Sequence, residues 1–107
     1  MIERLIGGLL LSSFVLAQTP DLAAVALMDL EGRQVTAASH LTGGVRVLTY
    51  TGVGCPISNK LAPRLEGLSR RYADRGVRFV GVNANPQDSR AKIATEAAEL
   101  GITFPIL

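Results

Sequence analysis

Tyr50-Thr51-Gly52-Val53-Gly54-Cys55-Pro56-Ile57-Ser58-Asn59 places the only cysteine of a 107-residue chain at the junction between a strand and a helix. The preceding run, Val45 to Tyr50, is β-branched and aromatic, which favours a strand, and Gly52 and Gly54 break it. Pro56 then opens a helix. Proline has no N–H, and in the first helical turn that group would have had no intrahelical acceptor, so Cys55 falls at or near the N-cap. There the unpaired N–H groups of Ile57 and Ser58, together with the positive end of the helix dipole, favour a thiolate over a thiol. The candidate catalytic residues are Cys55 and Ser58, with Pro56, Ile57 and Asn59 as the thiolate-stabilising surroundings. The ordinary fate of a lone cysteine is that of a small buried hydrophobe. Its position between two glycines and a helix-opening proline weighs against that here.

Working outward, Leu61, Leu65, Leu68 and Tyr72 recur at spacings of four, three and four, which predicts a helix from Pro56 to Arg75 with these residues as its buried face. Gly76 is the helix stop, and Val77 to Asn83 reads as a second, mostly buried strand. A strand, a helix and a strand of these lengths imply a right-handed parallel crossover. Asn85-Pro86-Gln87 breaks the chain. Asp88 or Ser89 then caps a second helix running to Leu100, with Ile93, Ala97 and Leu100 inward and Gly101 as its stop. Ile102 to Leu107 reads as the approach to a further strand. Upstream, Val25 to Met28 and Arg33 to Thr36 flank the turn Asp29-Leu30-Glu31-Gly32 as a short hairpin. Ala37 to Gly44 is a connection with room for a helical turn, and it carries His40, the only histidine.

Residues 1–17 read as a signal peptide: Arg4, an apolar run from Leu5 to Leu16, and Val15-Leu16-Ala17 as a cleavage site. The apolar run is too short to span a bilayer, which takes about 20 residues. Residues 18–24 form a linker and 25–107 the domain. Export places the chain in a periplasmic or extracellular, oxidising compartment, where an unpaired cysteine points to a reactive thiol or an intermolecular disulfide. A net charge of +2 without a basic, aromatic-interleaved stripe argues against nucleic acid. After signal removal no membrane association is expected. The cations from Lys60 to Arg78 read as a solvated helix face, with Glu66, Arg70 and Asp74 spaced for successive ion pairs.

Two other chemistries fail on particular residues. A nucleotide-phosphate turn would need a third glycine where Ile57 stands, loses a donor at Pro56, and finds Asn83 where a ribose-binding acid belongs. One cysteine and one histidine cannot make a tetrahedral metal site, so neither metal nor cofactor is expected.

From about Val25 to Leu107 the residues resemble the redoxins, the alkyl hydroperoxide reductase and thiol-specific antioxidant branch of the thioredoxin-like superfamily. Thioredoxins place C-x-x-C at the start of their first long helix and Ala-Pro seven and eight residues after the first cysteine; here Ala62-Pro63 holds that register to Cys55. The Asp29 to Gly32 hairpin turn and Thr103-Phe104-Pro105 are similar to redoxin features. The resemblance implies an α/β fold in which an N-terminal β-hairpin precedes a β-α-β-α unit, and it makes Cys55 the nucleophile. Ser58 takes the resolving position, so the motif becomes C-x-x-S. The peroxiredoxin pattern P-x-x-x-T-x-x-C would need proline at Leu48 and threonine at Gly52, which puts peroxide-specific activation in doubt. Without a second cysteine, an external thiol or disulfide partner has to complete any redox cycle. Family members continue past the Phe-Pro segment into an antiparallel strand pair, a cis-proline loop and a closing helix. The C-terminal half of the fold is therefore expected to be missing, leaving a sheet edge open to self-association. The alternative is a non-catalytic redoxin-like binding or structural protein, or an inactive fragment.

Overall fold

A computed structural model describes residues 21–107. The signal-peptide expectation for 1–17, and the first residues of the 18–24 linker, lie outside them. Leu22–Ala24 make a short 3-10 turn, whose Ala23 N–H donates to the Asp21 carboxylate at 3.0 Å.

The hairpin forms as the turn residues predict. Strands β1 (Ala26–Met28) and β2 (Gln34–Thr36) pair antiparallel, with Leu27 opposite Val35. Asp29 organises the turn between them: its Oδ1 accepts the Arg33 N–H at 2.8 Å, and its Oδ2 accepts Arg33 Nε at 2.7 Å. Burial pushes the Asp29 carboxyl up, but the Arg33 N–H and guanidinium outweigh it and hold the group below its ordinary value. Helix α1 (Ala37–Leu41), a single turn and a half, occupies the connection and carries half-buried His40.

Strand β3 (Arg46–Tyr50), helix α2 (Pro56–Tyr72) and strand β4 (Arg78–Val82) form the expected parallel crossover, in a register that sets Val47 opposite Phe79 and Tyr50 opposite Val82. Helix α2 ends where Ala73–Arg75 tighten into a 3-10 turn and Gly76 takes φ +76°, a left-handed conformation that a side chain would oppose. The second long helix, α3 (Arg90–Glu99), is capped by Ser89, whose Oγ accepts the Lys92 N–H at 3.3 Å. Ala97 is buried beneath it, with Ile93 and Leu100 half-buried.

The chain after α3 does not merely approach a strand. Pro105 to Leu107 line up parallel to β4 on the side away from β3: Gly81 N–H donates to Pro105 O at 2.8 Å, Leu107 N–H to Gly81 O at 2.8 Å, and Asn83 N–H to Leu107 O at 2.9 Å. β4 is thus covered along both edges, which is why Phe79, Val80 and Gly81 are buried. Phe79 meets Phe104 with ring centroids 6.0 Å apart and a tilt of 41°. Burying such a ring contributes roughly 2–3 kcal/mol.

The buried stripe of α2 departs from the leucine periodicity. The helix buries Ala62 and Glu66, leaves Leu65, Leu68 and Tyr72 half-buried, and leaves Leu61 46% exposed. The small Ala62 lets the helix sit close to its neighbours. Glu66 is tolerated inside because its Oε2 accepts the Thr103 N–H at 2.9 Å, its Oε1 takes the Thr103 hydroxyl, and Arg70 Nε donates to that same oxygen at 2.9 Å. Of the anticipated ion-pair ladder only Glu66–Arg70 forms, since Asp74 lies beyond the helix in the 3-10 turn. Among the described residues no helix is long and apolar enough to cross a membrane.

Candidate functional site

Cys55 is the N-cap of α2, with φ −74° and ψ 114°, and Pro56 is the first helical residue. The Asn59 N–H donates to Cys55 O at 2.9 Å, which closes the first turn, and the Cys55 N–H donates back to Gly52 O at 3.1 Å. Pro56 cannot donate. The N–H groups of Ile57 and Ser58, in the first turn, have no acceptor among the described residues. They are the donors left at the positive end of the helix.

The thiol is free and half-buried, and no side chain of the described residues donates to its sulfur. Ser58 and Asn59 are half-buried beside it, whereas Ile57 is 72% exposed. Gly52 adjoins the cysteine directly: a Cβ at this position would lie 3.6 Å from Cys55 Cβ, an ordinary contact.

The loop from Thr51 to Gly54 is held by groups that come from far along the chain. Thr51 N–H donates to Val82 O at 2.9 Å. Val53 N–H donates to Asp88 Oδ2 at 2.9 Å, and the same oxygen takes Asn83 Nδ2 at 2.9 Å. Gly54 N–H donates to Glu96 Oε1 at 2.8 Å, and that oxygen also takes Asn59 Nδ2 at 2.9 Å. The Asn59 side chain is therefore turned toward α3. The Asn83 amide and the Val53 N–H hold the Asp88 carboxyl below its ordinary value; burial opposes them, and Asn85 and Lys92 reinforce them.

Cys55, Pro56, Ile57, Ser58 and Asn59, contiguous in the sequence, form the N-cap and first turn of α2 as expected. Of the two cap candidates, Ser89 caps α3 and Asp88 instead reaches the loop before Cys55, as does Glu96, which has no signal in the sequence. On the sequence, Glu96 is one more polar position on an amphipathic helix. Nothing local distinguishes it, because its partners are 42 and 37 residues away.

A strand, a helix with a cysteine at its N-cap position, a parallel partner strand and a second helix define a thioredoxin-like α/β domain. The chain belongs to the AhpC/TSA family, whose family model matches residues 15–107. This bears out the redoxin resemblance. No curated protein matches the chain. Among solved structures, it is similar to a secreted disulfide oxidoreductase of Mycobacterium tuberculosis described as homologous to E. coli DsbE, with 24% identity and a TM-score of 0.69 over 83% of this chain and 63% of that one. It is also similar to the bacterioferritin comigratory protein of Xanthomonas campestris, studied for alkyl peroxide reduction, with 23% identity, a TM-score of 0.65 and coverage of 79% and 52%. A thiol:disulfide interchange protein of the thioredoxin family from Chlorobium tepidum matches at 22% identity and a TM-score of 0.64, over 78% and 55%. The chain thus spans between about half and two thirds of the length of these structures.

Proposed function

We propose that the chain is a thiol-dependent oxidoreductase of monothiol C-x-x-S type with Cys55 as nucleophile. The observation that supports this best is the position of a free, half-buried thiol at the N-cap of α2, next to two first-turn N–H groups that have no protein acceptor. In the forward step the Cys55 thiolate attacks one sulfur of a substrate disulfide, forming a mixed disulfide and expelling the other sulfur as a thiolate. An external thiolate then attacks the substrate sulfur of that mixed disulfide. This releases Cys55 as a thiolate and leaves the external thiol and the substrate joined. In this reading the Ile57 and Ser58 N–H groups stabilise the anion at both ends of the cycle, and the Ser58 hydroxyl, lacking a thiol's nucleophilicity, does not resolve the mixed disulfide. With Leu48 and Gly52 replacing the proline and threonine of peroxiredoxins, a disulfide is favoured over a peroxide as the oxidant.

In this reading residues 1–17 direct export, 25–107 form the redoxin domain, and the partner is a thiol or disulfide in a periplasmic or extracellular space. The outer edge of β3, which has no strand partner among the described residues, provides a surface for self-association.

The test is the rate of mixed-disulfide formation at Cys55 with a small aromatic disulfide, in native chain and in denaturant, read by mass spectrometry, with Cys55→Ser as the blank. Faster reaction of the native chain is expected. Equal or slower reaction overturns the enzyme reading in favour of a non-catalytic redoxin-like protein.

A further inference from the structure

We infer that Glu96 is a positioning residue for Cys55: its carboxylate fixes the loop in front of the thiol to the helix behind it. The inference rests on the redox reading of Cys55 given above. A single oxygen, Glu96 Oε1, accepts from Gly54 N–H at 2.8 Å and from Asn59 Nδ2 at 2.9 Å. Gly54 immediately precedes the cysteine and Asn59 lies four residues beyond it, so the two bonds straddle Cys55 and leave its own sulfur untouched. Charge-assisted bonds of this kind are stronger than neutral ones and impose geometry on both donors.

The loop has few other restraints on that side. Gly54 has φ +70°, and a Cβ there would meet nothing within 4 Å, so packing does not hold it. The Asn59 Oδ1 atom is buried without a hydrogen-bond partner, so this side chain is oriented through its Nδ2 alone. Asp88 holds the preceding residue, Val53, from the segment that leads into α3. The carboxylates of the α3 segment therefore replace side-chain packing as the means by which a glycine loop is kept in register with the helix terminus. Reactivity of the thiol toward a disulfide requires its attack along the S–S axis, and small displacements of a reacting group are expensive in rate.

The experiment uses the full chain with substitutions at Glu96 and two readouts: protection of the Gly54 amide from hydrogen exchange, by NMR, and the rate of mixed-disulfide formation at Cys55. Glu96→Ala is expected to remove the Gly54 protection and slow the reaction roughly tenfold, while Glu96→Gln, which keeps an oxygen acceptor without the charge, restores the rate to within about twofold of the parent. If E96A is too unstable to fold, Glu96→Asp, one methylene too short to reach both donors, is expected to give the same two losses. Loss of Gly54 protection with a parental reaction rate overturns the positioning role. Retained protection in E96A overturns the contact itself, and a Glu96→Gln chain as slow as E96A shows that charge and not placement matters, which also overturns it. A parent chain whose thiol reacts no faster than in denaturant overturns the redox reading, and that outcome is seen without any substitution.

Discussion

Glu66 on α2 takes both the N–H and the hydroxyl of Thr103, 37 residues further on, and so ties the long helix to the segment that runs on into β4's second edge. Gly101 and Ile102 N–H donate to Ala98 O and Ala97 O, and the carboxylate supplies the acceptor for the next N–H, that of Thr103. Removing the carboxylate with Glu66→Ala takes the shared acceptor from the Thr103 N–H, the Thr103 hydroxyl and Arg70 Nε and is expected to cost about 2 kcal/mol, whereas Thr103→Val, which keeps the N–H bond, costs about 1 kcal/mol. Urea denaturation of both variants measures the difference, and equal costs would place the effect in the hydroxyl alone.

The same pair makes stability depend on acid. Burial works against ionisation of Glu66, but the Thr103 hydroxyl and N–H and the Arg70 guanidinium outweigh it, so the folded carboxyl titrates below its ordinary value of 4.5. A depressed carboxyl contributes stability that is fully present above the ordinary value and is lost as pH falls through the lowered one. The stability gap between the parent and Glu66→Gln is therefore expected to be constant near neutrality and to shrink on acidification through that window. A gap that widens in acid would contradict the assignment. Denaturant midpoints across the acid range provide the check.

Gly81, the penultimate residue of β4, faces Ile106 where Pro105 to Leu107 run alongside the strand. A Cβ there would sit 3.1 Å from Ile106 Cγ1 and 3.5 Å from Phe104 Cε2. Gly81→Ala is expected to cost on the order of 1–2 kcal/mol by overpacking. The amides of Leu107 and Asn83, which bond across this contact, should lose protection first in hydrogen exchange. Uniform loss over the whole domain would show that the segment is not a separately displaced edge.

On the other side, β3 has no strand partner beyond β4 among the described residues. The bonds from Arg78 N–H to Val45 O and from Thr51 N–H to Val82 O fix the alternation, so the backbone groups of Arg46, Leu48 and Tyr50 point away from β4. Tyr50 is 70% exposed on that strand. We propose that this edge supports self-association, and Tyr50→Lys, a charge at an open edge, is expected to lower the sedimentation-average mass at high concentration. Stability should change by no more than about 0.5 kcal/mol, as for other exposed substitutions. An unchanged mass would rule this edge out as the contact.

The features that the sequence by itself determined are those with local causes. Pro56 after Cys55 sets a helix start, Gly76 sets its stop, Asp29 to Gly32 turn a hairpin, and Val45 to Tyr50 and Val77 to Asn83 have the residue types of parallel strands. Each depends on dihedral preference or hydrogen bonding within a few residues, and each is found in place. The Ala62-Pro63 register to Cys55, the Asp29 to Gly32 turn and Thr103-Phe104-Pro105, taken in order, likewise carry the resemblance to the family. Tertiary structure alone decided which face of α2 is buried, because the closeness allowed by Ala62 and the hydrogen bonds reaching Glu66 from Thr103 lie outside a count of apolar spacing. It alone decided that Pro105 to Leu107 complete the second edge of β4, and that Asp88 and Glu96 reach the loop before Cys55. Those contacts join groups tens of residues apart, and such meetings are settled by how the helices pack on the sheet, which no local pattern of residue types encodes.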